Sequence, residues 1–241
     1  MEYIFNNIES FPNDLRAIEK HVPLRSKGRK TEHTERYSLV SFLEAFHSES
    51  FFTFPFQVFF RDRPDVLVTS SVGNIGIEIS ESIPEQLARA EFLLEKNFKG
   101  HAVLEPEFFG WNAPDRTDAE IMEILQASQV HLIGQGVYGY SIEEKWITGI
   151  EERISSKTKN FSKTGFEKFD KNWLLIYDNQ TNDYLDMSYV SHKLSPYIAN
   201  YWNSNNPTFD KIFIDSGEHF FKLCRGDAPL FISKPSTLSE L

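Results

Sequence analysis

The chain has 241 residues, 40% of them hydrophobic and 25% charged, with a formal net charge of −10. This composition suits one large globular domain, the favoured reading, or two small ones, with a substantial buried core, and its acidity argues against non-specific coating of nucleic acid, which relies on an excess of Lys and Arg. No stretch approaches the ~18 uninterrupted apolar residues of a membrane span, and a lone cysteine, Cys224, leaves no partner for an internal disulfide or a cysteine-based zinc cluster.

In chain order, the opening "MEYIFNNIESFPNDL" has no basic segment followed by an apolar one, so no secretory signal is read and a reducing, cytoplasmic setting is expected. The cluster "RSKGRK" (Arg25, Lys27, Arg29, Lys30) is a candidate phosphate contact. A helix is predicted at about 31–47, where Leu39, Leu43 and Phe46 recur at helical spacing. Strands follow at 52–60, 65–70 and 75–80, and Pro55 places the first at an edge or breaks it.

Three Ser/Thr residues with Glu three positions on mark helix starts. Ser82/Glu85, Thr117/Glu120 and Ser141/Glu144 predict helices at about 83–97, 118–127 and 142–159. A second basic run includes Lys157, Lys159, Lys163, Lys168 and Lys171, of which Lys159 and Lys163 are further candidates for nucleic-acid contact. Strands at 172–178, 211–215 and 219–223 complete the pass, with Trp146, Trp173 and the clustered phenylalanines assigned to the core. The order reads helix, three strands, helices, strand, helix, two strands. It predicts an α/β fold with a central mixed β-sheet flanked by helices.

Two acids interrupt the apolar strands. In 75–80, Ile75, Ile77 and Ile79 face one way, while Gly76, Glu78 and Ser80 face the other, which predicts open space beside Glu78. If "SSVG" (70–73) forms the hairpin loop, Thr69 pairs with Asn74 and Asp65 falls opposite Glu78, with Cβ atoms ~5 Å apart. Two carboxylates that close need a cation or a shared proton. If Gly73-Asn74 makes the turn instead, the acids lie about 13 Å out of step at ~3.3 Å per residue, and no single ion bridges them. Spacing alone leaves both registers open.

Pro64-Asp65, a hairpin, and Glu78-Ile79-Ser80 resemble the PD-(D/E)xK signature of the restriction-endonuclease-like nucleases. The resemblance implies that Asp65, Glu78 and the main-chain carbonyl of Ile79 hold Mg²⁺ (or Mn²⁺), and that the substrate is nucleic acid, DNA before RNA. It implies a single domain over 1–241, with a nuclease-like core at about 31–80 plus 142–178, an insertion at about 82–140 and a C-terminal extension at about 180–241. Ser80 departs from the pattern, because the family has a lysine there. Some branches carry that lysine on a following helix, and, although a lysine near a helix end equally suits snorkelling to solvent, favoured by the dipole there, Lys157 suits the role. At about 100° per residue it projects only about 20° from Ile150 on the Ile147, Ile150, Ile154 stripe, whereas Lys159 lies on nearly the opposite side. The family's Glu on the preceding helix would be Glu35, with Glu32 in reserve. Both also suit a helix first turn, where the dipole favours acids.

Two other readings stand beside this one. The same fold without the motif lysine could be a non-catalytic interaction or nucleic-acid-binding module. "GQGVYG" (Gly134–Gly139) matches G-x-G-x-x-G, but position 159 is Lys where a dinucleotide site needs an acid, so turn glycines are the better reading. His47, His101 and His131 show no HExxH spacing, and no zinc chemistry is expected.

Overall fold

A computed structural model of the chain describes residues 1–46, 51–98, 104, 106–128, 139–179, 185–204, 208–217, 219–227 and 229–234. Gly134 to Val137 and His47, His101 and His131 lie outside the described residues. Eight strands form one sheet in chain order: β1 (Glu2–Phe5), β2 (Phe56–Phe60), β3 (Val66–Ser70), β4 (Gly73–Ser82), β5 (Lys171–Asp178), β6 (Lys211–Ser216), β7 (His219–Cys224) and β8 (Leu230–Ser233). The pairs β4–β5 and β5–β6 are parallel and the other five are antiparallel. The architecture is α/β with a central mixed sheet, as the element order predicts.

Six helices are described: α1 (Phe11–Arg16), α2 (Thr31–Phe46), α3 (Glu85–Asn97), α4 (Asp118–Ser128), α5 (Ser141–Phe161) and α6 (Met187–Asn203). Parallel neighbours need a crossover, and α5 precedes β5 while α6 links β5 to β6. Strand alternation then sorts the core into two layers. On one face Ile75, Ile77 and Ile79 join Trp173, Leu175 and Phe213 under α2, which contributes Leu39, Phe42, Leu43 and Phe46. On the other, Leu174, Ile176, Ile212 and Ile214 pack against Trp146, Ile150 and Ile154 of α5 and Val190, Leu194 and Ile198 of α6. A third cluster, built on Leu87, Ala90, Ile121 and Leu125, joins α3 to α4.

Several expectations are refined. Pro55 does not make β2 an edge. The strand starts just after it, at Phe56, and β1 takes the outer position. In the residues from 187 onward, read as an extension, the expected helix and two strands form as α6, β6 and β7, and β8 joins them in the sheet. Of the three capping boxes, Thr117/Glu120 forms: Thr117 N–H donates to Glu120 Oε2 at 2.7 Å and Glu120 N–H to Thr117 Oγ1 at 3.4 Å. Ser82 remains in β4, with Pro84 as the N-cap of α3, and Ser141 is already the first helical residue of α5. No described helix is long and apolar enough to cross a membrane.

Candidate functional site

The hairpin register decides whether the two acids meet. Thr69 pairs with Asn74 and Val66 with Ile77, so one further step places Asp65 across from Glu78. The tight-turn alternative at Gly73-Asn74 is not adopted. The β3–β4 ladder ends at Val66, whereas β4 continues to Ser82 along β5, so Asp65 sits at a notch in the sheet where β4 runs on beyond its pairing with β3. There Asp65 Oδ2 accepts the Ile79 N–H at 2.7 Å. That bond holds the acid against the residue whose carbonyl completes the expected ligand set.

Glu78 is 5% exposed and points to the α5 face. Lys157 Nζ donates to its Oε1 at 2.7 Å. The apolar stripe of α5 explains the reach. Ile150 and Ile154 are buried against the sheet, which carries Lys157, just under one turn beyond Ile154, along the same side toward β4. A buried carboxylate is costly unless paired, and this lysine, with only 21% of its side chain exposed, supplies the pairing. The other oxygen, Glu78 Oε2, is buried with no hydrogen-bond partner among the described residues.

The space beside Glu78 is not open on the Gly76 side, as small residues there predict. The Phe169 ring and Pro64 fill it, since a Cβ built on Gly76 would stand 2.8 Å from Phe169 Cδ2 and 3.0 Å from Pro64 Cγ. Gly76 therefore lets the Pro64-Asp65 turn close onto β4. Ser80, at the motif lysine's position, is 6% exposed.

Glu35 approaches from α2. Burial, reinforced by the charge of Asp65, raises its carboxyl to about 7, with Lys157 opposing. Burial and then the charge of Glu78 raise Asp65 to about 6, against the pull of Lys157 and the Ile79 N–H. Two acids held above the carboxylate range, together with an unpartnered Glu78 oxygen, mark a site short of positive charge. Its donors are all oxygens, as Mg²⁺ prefers. Among the described residues no group of three or more His, Cys, Asp or Glu side chains gathers around one point. The donor set that fits is thus two carboxylates and a carbonyl, with Glu35 a neighbour in charge and not a third ligand. Glu32, the reserve, is exposed.

The two basic clusters differ in placement. Arg25 donates to Glu91 Oε2 at 2.7 Å and to Glu81 Oε1 at 2.8 Å, and Arg29 donates to the same Glu81 oxygen at 2.8 Å. These arginines therefore brace the Arg25–Lys27 3₁₀ turn against β4 and α3, while Lys27 and Lys30 are exposed. Lys159 and Lys163 are also exposed.

Sequence reasoning passed over Glu81, although alternation from Ile79 places it on the α2 face. It also missed Arg36, Phe60 and Arg61, which line a cavity with Glu35. Arg36 is one residue past Glu35, but nothing in sequence brings Phe60 and Arg61 to the same place. Comparison of the chain with protein-family models, with curated proteins and with solved structures finds no match.

Proposed function

We propose that the protein is a metal-dependent nuclease of the PD-(D/E)xK kind, hydrolysing phosphodiester bonds of nucleic acid, DNA before RNA, in a cytoplasmic setting. The observation that carries the reading is the 2.7 Å contact between Lys157 and Glu78. A signature that lacks its lysine at Ser80 regains an ammonium beside the same acid, delivered from α5.

Asp65, Glu78 and the Ile79 carbonyl would hold Mg²⁺ or Mn²⁺. When bound, such an ion polarises the scissile phosphoryl group and lowers the pKa of a coordinated water. An ammonium has three N–H donors. Lys157 gives one to Glu78 and has others with which to orient the attacking water and offset charge on the phosphorane. Glu35, held near 7, can accept a proton from that water around neutral pH. The Ile79 N–H fixes the carboxylate of Asp65, so the pair needs little reorganisation.

A second reading draws on the arginines. Arg25 and Arg29, close to Ile79, are neutralised by Glu81 and Glu91, so a phosphate arriving there competes with existing pairs. In a non-catalytic module, Lys157–Glu78 is a structural ion pair. Cleavage assays separate the two: with Mn²⁺ the wild type should cut DNA while Asp65→Asn and Lys157→Ala, both folded, should not. A wild type that leaves DNA and RNA intact with either metal supports the module.

A further inference from the structure

Glu35 lines two cavities at once. The smaller, about 190 Å³, also touches Arg25, Arg29, Lys30 and Ile79. The larger, about 350 Å³, is bounded by Met1, Glu32, Arg36, Phe60 and Arg61. Both cavities therefore border the candidate site, the larger at Glu35 and the smaller at Glu35 and Ile79. The cavities differ in chemistry. Arg25, Arg29 and Lys30 line the smaller one together with the carboxylates of Glu35 and Glu81, so a phosphate enters it by displacing Glu81 from its arginines. The larger combines an aromatic ring, two guanidinium groups and two carboxylates, and its volume falls near the lower end of the ~300–1,000 Å³ of small-molecule pockets.

The guanidinium groups of the larger cavity are unequally engaged. Arg61 pairs with Glu167 and stacks over the Phe169 ring at 5.4 Å. Arg36 has its Nε buried with no hydrogen-bond partner among the described residues. An unsatisfied buried donor is costly, and a turn of the Arg36 guanidinium toward an acceptor in the cavity would satisfy it. Phe60 is partly buried and held edge-on by Tyr3 at 6.2 Å between ring centroids, which makes it a fixed apolar wall.

We infer that the larger cavity holds one unstacked nucleobase and the smaller the adjoining phosphate, so that the substrate is single-stranded nucleic acid that crosses Glu35. A base stacked in a duplex offers no face to such a cavity, whereas a single strand can turn one base out at little cost. Phe60 supplies the apolar wall, Arg36 donates to an acceptor on the base edge, and Glu32 accepts from an exocyclic amine. The inference rests on the nuclease reading for the position of the scissile bond, but the binding it requires stands without cleavage.

The test is fluorescence anisotropy in EDTA with a labelled oligonucleotide of about 12 residues, single-stranded or annealed to its complement. The wild type binds the single strand about tenfold or more tightly than the duplex, and Arg36→Gln and Phe60→Ala each weaken single-strand binding about five- to a hundredfold, the range of one lost base contact. Circular dichroism checks folding, and Arg36→Gln is the reference if Phe60→Ala unfolds. Equal or tighter duplex binding, no binding of either, or wild-type affinity in Arg36→Gln overturns the inference. Mn²⁺-dependent cleavage, and its loss in Asp65→Asn, reports separately on the nuclease reading. Cutting that persists beside unchanged Arg36→Gln binding removes the base cavity alone, and selective binding without cutting removes the nuclease alone.

Discussion

Lys157 and Glu78 stand 79 positions apart in sequence and 2.7 Å apart in space. Removing the lysine leaves the acid buried and unpaired. Lys157→Met should therefore destabilise the fold by about 3 kcal/mol, the lower end for breaking a buried pair, and Glu78→Gln in the same chain should restore part of that loss. Urea denaturation of the four proteins of this double-mutant cycle measures the coupling. On the nuclease reading Lys157→Met also lowers the cleavage rate about 10²- to 10³-fold, the cost of one lost electrostatic group. Lys159→Met, at an exposed position on the same helix, should change neither quantity.

The raised carboxyls set a pH dependence for the metal-free protein. Asp65 at about 6 and Glu35 at about 7 bind protons more tightly folded than unfolded. Between about pH 4, the unfolded value, and about pH 7, the native state thus holds more protons, so stability falls as pH rises and levels off above about 7. Thermal unfolding between pH 4.5 and 8 should show this decline, and Asp65→Asn with Glu35→Gln should flatten it. Because a divalent ion competes with those protons, its binding should weaken below about pH 6.

Gly76 is the packing point under Asp65. Gly76→Ala forces a methyl against Phe169 and Pro64 and should cost about 1–3 kcal/mol as overpacking. The displaced turn is the one that presents Asp65, so any cleavage should fall further than the stability loss explains. Denaturation midpoints and cleavage rates measured well below the melting temperature test both parts.

Glu81 gathers three donors on one oxygen: Arg25, Arg29 and, at 2.6 Å, the Asn179 side-chain amide. Glu81→Ala leaves two half-buried guanidinium groups short of a partner and should cost about 2–3 kcal/mol, as for charged hydrogen bonds. Raised salt should reproduce little of that loss in the wild type, since the side chains involved are 13–19% exposed. Chemical denaturation at low and high ionic strength checks the point.

Much of this site is legible in sequence because it rests on local periodicity. Alternation along 75–80 places Glu78 away from the isoleucines, and the hairpin allows few registers, one of which sets Asp65 opposite. The helical angle between Ile150 and Lys157 points the lysine to the sheet. What was not legible depends on long-range pairing. The Arg25–Glu81 contact joins residues 56 positions apart, and no local pattern marks "RSKGRK" as a brace in place of an exposed patch. The filling of the Gly76 side by Phe169 is hidden for the same reason. The short elements β1, α1 and β8, of 4, 6 and 4 residues, carry too few residues to show a period. The helix between β5 and β6 is expected from the order, but Pro196 and a tyrosine-rich composition mask its limits. Two capping boxes mislead because a Ser-x-x-Glu pattern does not reveal whether its serine still belongs to the preceding strand, as Ser82 does, or is already helical, as Ser141 is.

The most direct measurement is a crystal structure of the protein grown with Mn²⁺, using the anomalous signal to place the metal. The account predicts one ion in contact with the carboxylates of Asp65 and Glu78 and the carbonyl oxygen of Ile79, with the Lys157 ammonium beside it. Fully loaded crystals with no ion at that notch, and Glu78 still bound to Lys157 alone, would contradict it.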